Sequence, residues 1–212
     1  DDNARALVLT VLIEQLGEAE STGIEKLASR YLAFLGHAFN SENNRFRNFL
    51  TYARQWTEAT GSEDSHGRAL WALGTVLGRS RNEALRGAAG RLFENAAPAV
   101  LTFSSPRAWA FALLGIQEYL NRFPGDRNAQ DTRWALANRL LELYFSNQSP
   151  EWNWFEDVLA YSNARLSQAV LLAGRSSSDA SMISAGLGTL SWLCEAQRSP
   201  NSDHFVPIGS QG

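Results

Sequence analysis

This chain has one lysine, one cysteine and no long apolar run. Cys194 is its only cysteine, so no intramolecular disulfide forms, packing must hold the fold, and a reducing compartment is permitted. The neighbours Trp192 and Leu193 predict a buried thiol. No stretch reaches the roughly eighteen apolar residues of a membrane span, and no signal-peptide pattern opens the chain. The expectation is a cytoplasmic protein with no membrane partner. A net charge of -3 removes any electrostatic reason to expect nucleic acid. Three histidines without ligand spacing argue against a metal site, and without a phosphate-binding glycine loop no cofactor is implied. Lys26 is the only lysine among 19 basic residues. The rest are arginines, whose planar, multi-donor heads suit structural clamps.

What is present is apolar and helical. The 212 residues are 44% hydrophobic, enough for one substantial domain with a core. Apolar periodicity predicts helices over 3–16, 22–38, 64–79, 83–95, 105–122, 129–146, 157–174 and 178–197. Glycine or proline marks most joins, at Gly17, Gly78, Pro98, Pro106, Pro124, Pro150, Gly174 and Pro200. A short extended piece is expected at 203–208, "DHFVPI".

Three segments repeat a pattern: "SHGRALWALGTVLG" (65–78), "SSPRAWAFALLG" (104–115) and "YSNARLSQAVLLAG" (161–174). Each carries a small polar residue, then an arginine (Arg68, Arg107 or Arg165), then an apolar run ending in glycine. A helix apolar nearly all round must be buried on all sides. Amphipathic helices such as 83–95 and 129–146 fall between, as an outer layer would. The prediction is an all-α chain, a single α/α-toroid-like domain of helical hairpins over 1–212. With about eight helices it is an incomplete six-hairpin barrel or a fragment of one; a helical solenoid is the competing architecture. Gly74, Gly78, Gly115 and Gly174 are expected at close helix contacts or helix ends, and Trp71 and Trp109, inside apolar runs, in the core.

The segments "NRFRNFLTYARQW" (44–56), "SEDSHGRALWALGTVLGRS" (62–80), "SPRAWAFALLGI" (105–116), "WFEDVLAYSNARLSQAVLLAG" (154–174) and "DHFVPIGSQG" (203–212) resemble a bacterial α/α-toroid region. That region is found C-terminal to family-4-type glycosyltransferases or encoded near mannoside phosphorylases. The resemblance spans most of the chain from residue 44 onward. It implies an α/α toroid in a carbohydrate-processing context, with a glycosyltransferase domain as a possible partner. The family pattern has aspartates where this chain has Ala53 and Ser162, so chemistry resting on those carboxylates would be missing here.

If the repeat starts share one mouth, polar side chains collect there. Glu63, Asp64, His66 and Arg68 come from the first unit, Ser105 and Arg107 from the second, and Trp154, Glu156, Asp157, Tyr161, Asn163 and Arg165 from the third. Asn44 to Arg47 and His204 would line the rim. Glycosidic cleavage needs a proton donor and a second carboxylate. The pairs Glu63-Asp64 and Glu156-Asp157 supply candidates, with His66, Arg68, Arg107, Trp154, Tyr161, Asn163 and Arg165 as substrate contacts. Trp152 offers a further face to a sugar ring. A plainer reading stands beside this one: acidic residues favoured at helix starts with Ser62 as cap, arginines that staple hairpins, and a structural His66. The expectations are therefore a glycoside-hydrolase-like domain acting on an oligo- or polysaccharide, a non-catalytic glycan-binding or accessory module, or a helical protein-interaction scaffold.

Overall fold

Five helices begin on one side chain each. Ser62, Asn82, Ser105, Asp126 and Asp179 accept the backbone N–H three residues on, at 3.0–3.3 Å. Each satisfies a donor that the first helical turn would otherwise leave unpaired. The computed structural model describes residues 1–17, 23–199 and 204–208. Among them are eight α-helices: α1 (Asp2–Gln15), α2 (Ile24–Ala38), α3 (Glu63–Arg79), α4 (Glu83–Ala96), α5 (Pro106–Arg122), α6 (Arg127–Asn147), α7 (Ala164–Ser177) and α8 (Ala180–Ala196). A 3₁₀ turn spans Ala97–Thr102, and two-residue strands β1 (Phe39–Asn40) and β2 (Arg45–Phe46) pair antiparallel. The protein is all-α in class, and its residues divide into two compact units, 1–133 and 134–212.

In the first unit α1, α3 and α5 run parallel, side by side. Arg68, near the start of α3, meets Asp1. At the other end Glu14 accepts from the Ser80 hydroxyl at 2.9 Å and the Arg81 N–H at 2.6 Å. Between α3 and α5 the contact is backbone on backbone, with Gly67 against Ala108, Gly74 against Gly115 and Gly78 against Glu118. A Cβ on Gly74 would sit 2.0 Å from the Gly115 carbonyl oxygen, and one on Gly115 2.3 Å from that of Leu70. Arg79 closes the far end with a two-pronged bond to Glu118, Nε at 2.7 Å and Nη2 at 2.5 Å. Outside this row α4 runs back along α3, its last residue Ala96 returning to His66. The all-round apolar pattern is accordingly buried. Ala69, Leu70, Ala72, Leu73, Val76 and Leu77 on α3, and Ala108 and Ala110–Ile116 on α5, are inaccessible. Trp71 and Trp109 are only half-buried, Trp71 stacked on Phe111 at 6.2 Å.

In the second unit α7 and α8 form an antiparallel hairpin. Gly174 fits against Met182 and Ile183, Gly186 against Leu171, and the buried hydroxyls of Ser167 and Thr189 bond at 2.8 Å. The helix expected over 157–174 begins only at Ala164. Asn163 explains the delay: its side chain accepts the Ala160 N–H at 3.2 Å and donates to the Ala160 carbonyl at 3.3 Å, a local turn that competes with a helix. The non-helical segment before it tucks Trp154 and Phe155 into the interior. Cys194 corrects another expectation. It is exposed, because Leu193 takes the inward position on that turn of α8. Residue 22, the expected start of the second helix, and residue 203 lie outside the described residues. Within 204–208 a single bridge joins Arg198 and Phe205.

Two substitutions test the glycine contact. Gly74→Ala is expected to cost about 3 kcal/mol or more, because two helix backbones must separate. Gly87→Ala, at an exposed α4 position where a Cβ meets nothing within 4 Å, is expected to gain about 0.5–1 kcal/mol. Urea unfolding of both variants measures the difference, and equal effects would refute the contact.

Candidate functional site

The polar residues of the first unit meet where α1, α3 and α5 begin. Ser62 caps α3, and the two acids that follow reach across to α5. Glu63 Oε2 accepts the backbone N–H of Ser104 at 2.9 Å and of Ser105 at 2.7 Å. Asp64 Oδ1 accepts the Ser105 hydroxyl at 2.6 Å, and that hydroxyl oxygen in turn accepts the Ala108 N–H that it caps. The carboxylates thus orient the residue that starts the neighbouring helix. Arg68 pairs with Asp1 at 2.5 Å and lies over the Phe111 ring at 4.4 Å. Arg107 is buried on the first turn of α5.

His66, expected among the substrate contacts, is 0% exposed. Its Nδ1 accepts the Phe46 N–H at 3.4 Å, and its Nε2 lies 3.0 Å from the Ala96 carbonyl, so the neutral Nε2–H tautomer satisfies both. The rings of Phe46 and Phe103 stand edge-on to it at 5.2 and 5.1 Å. Neither nitrogen is left for a substrate. Desolvation pushes its pKa down to about 4, against an upward pull from the Ala96 bond, and nearby Arg45 lowers it further. Arg45 itself lies 4.4 Å over Phe103 and donates to the Gly61 carbonyl at 3.2 Å.

The sites expected in the second unit are placed differently from one another. Trp154 is wholly buried, its faces covered by Trp192, stacked at 5.9 Å, and Phe155, edge-on at 5.3 Å. It offers no face to a sugar, which corrects that expectation. Trp152 is half-buried and donates its indole N–H to the Glu156 carbonyl at 2.6 Å. Glu156 is half-buried, while Asp157 and Tyr161 are exposed. Asn163 is buried in the turn described above, and Arg165 donates to Gln168 at 2.6 Å. Burial holds the Arg165 pKa below its ordinary value. His204 is exposed, and its carbonyl accepts the Ser199 N–H at 3.1 Å. Among the described residues no cluster of His, Cys, Asp and Glu has the makings of a metal site, and no helix is long and apolar enough to cross a membrane.

Residues 48–58 hold two side chains that motif reading passes over. Phe49 and Tyr52 are exposed, Tyr52 completely, on a hydrogen-bonded hairpin beside this pole. The available signal was alternation: Leu50 and Trp56 are half-buried, whereas Phe49, Thr51, Gln55 and Thr57 are exposed.

The His66 environment generates a pH dependence. The unfolded histidine takes up a proton as pH falls below about 6.5, while the folded one resists until about 4. Stability is therefore intact above pH 6.5 and falls by about 3 kcal/mol on the way to pH 4. His66→Gln, whose amide can both accept and donate, should show a shallower loss across that window in urea unfolding. Identical profiles for the two proteins would disprove the assignment.

Compared with protein-family models, curated proteins and solved structures, the chain matches none.

Proposed function

We propose that this chain is a non-catalytic, carbohydrate-holding module of α/α-toroid type that works beside a glycosyltransferase. The observation that carries the non-catalytic part is the use made of Glu63 and Asp64. A general acid or nucleophile must direct its carboxyl at the scissile bond. Here Glu63 Oε2 already accepts two amides and Asp64 Oδ1 a hydroxyl, and together they hold the start of α5. The parallel row α1, α3 and α5 with α4 returning outside it supports the toroid reading, as inner and outer helices of such a ring would be arranged. The carbohydrate context is supported by the segments over 44–56, 62–80, 105–116 and 154–174 that resemble a toroid region of glycan-processing systems.

Purified protein incubated with β-glucan, mannan and small aryl glycosides should release no sugar, while native gels cast with the same polysaccharides should retard it. Glu63→Gln and Asp64→Asn should each cost about 1–2 kcal/mol through the weakened cap, which lowers Tm by roughly 2–8 °C for a chain of this size. Sugar release that either variant abolishes at unchanged Tm would overturn the proposal.

A further inference from the structure

The hairpin over residues 48–58 is built more firmly than an idle surface loop requires. Glu58 Oε1 accepts the N–H of Asn48 at 2.6 Å and of Phe49 at 3.0 Å. Thr57 N–H donates to the Phe49 carbonyl at 3.1 Å, and Thr51 N–H to that of Gln55 at 2.9 Å. The Gln55 N–H returns to the Thr51 hydroxyl at 3.1 Å. At the tip Arg54 donates to the Thr51 carbonyl and holds φ +59°, the left-handed position that closes a three-residue hairpin loop. A non-glycine side chain there costs on the order of 1 kcal/mol, so the surroundings impose this shape.

The two faces differ. Leu50 and Trp56 turn inward, with Trp56 at 6.0 Å from Phe34 and 5.2 Å from His37. Outward stand Phe49 at 62% exposure, Thr51, Gln55 and Thr57, with Tyr52 fully exposed at the tip. We infer that this outward face is a stacking platform for a neutral sugar, Phe49 and Tyr52 taking C–H faces of pyranose rings and Thr51, Gln55 and Thr57 their hydroxyls. The inference rests on the carbohydrate reading above and gives it a location.

Composition and size select that ligand. Aromatic rings beside neutral hydroxyl and amide groups match a polyhydroxylated ring, which is apolar on its faces and polar at its edge. The one acid of the hairpin, Glu58, is occupied by backbone amides, and the cations beside it are Arg54 at the tip and Arg47, which lies 5.9 Å over the inward Trp56, too little charge for a polyanion. The four-residue arms 48–51 and 55–58 span about 13 Å by 5 Å, far below the roughly 800 Å² per partner of a stable protein interface. A backbone already locked and an aromatic side chain with two rotatable bonds lose little freedom on binding.

The full chain is titrated with oligosaccharides from β-mannan and β-glucan, alongside Phe49→Ala, Tyr52→Ala, the double variant and Trp134→Ala, an exposed tryptophan of the second unit. The double variant should weaken binding at least tenfold with Tm unchanged, and Trp134→Ala should bind as the parent does. If the parent binds sugar and the double variant binds equally well, the platform is refuted while the carbohydrate reading stands. If the parent binds no sugar, the carbohydrate reading falls and takes the platform with it. Preference for a polyanion such as alginate, lost at high salt, refutes the neutral-sugar assignment, as does a concentration-dependent dimer that Tyr52→Ala abolishes.

Discussion

The first unit depends on how closely the backbones of α3 and α5 approach. Gly67, Gly74 and Gly78 on one helix meet Ala108, Gly115 and Glu118 on the other with no side chain between them at the glycines. That proximity brings the two helix starts within hydrogen-bonding reach, so Glu63 and Asp64 on α3 span to Ser104 and Ser105 ahead of α5. It also lets Arg79 reach Glu118 at the opposite end. A conventional side-chain ridge between the helices would hold their axes about 8–10 Å apart. The capping bonds across the gap are set by the small residues beneath them.

Charge at the pole is organised around backbone groups. Helix N-termini present unpaired N–H donors and the positive end of the macrodipole, and carboxylates settle there at low cost. Glu63 completes amides in the neighbouring connection, and Glu58 does the same for the hairpin at residues 48–58. Arginine is used differently. Arg68 lies on Phe111 and Arg45 on Phe103, flat cations over aromatic rings that a lysine ammonium would cover less well. The near-absence of lysine therefore fits a scaffold fastened by stacked guanidinium groups.

His66 is the polar counterpart of the glycine contact. It stands at the start of an otherwise apolar helix, and its two nitrogens bond backbone at Phe46 and Ala96, which come from different elements. One imidazole thereby ties β2, α3 and the end of α4 together, at the price of excluding its own proton down to about pH 4. The hairpin at 48–58 follows shortly after β2 and keeps its Leu50–Trp56 face inward, so its opposite face is left to water. A buried histidine of this kind and an exposed aromatic pair lie close in sequence yet play opposite parts.

Most helix positions, the cap at Ser62 and the glycine contact points were legible in the sequence, because each follows from local chemistry: periodicity, a short polar side chain before a helix, and the lack of a Cβ. The all-α class follows from the same signals. Which atoms the polar residues bond was decided only by tertiary structure. Glu63 has the same local setting whether it faces a substrate or the Ser105 amide; the approach of α5 selects the amide. Trp154 beside two acids resembled a sugar platform until Trp192, 38 residues later, covered it, and Asn163 closed a turn where apolar periodicity called for helix. Cys194 and Leu193 are adjacent and similarly apolar, and only the packing of α8 turned one outward and one inward. Burial and bonding partners are properties of neighbours distant in sequence, which local pattern does not encode.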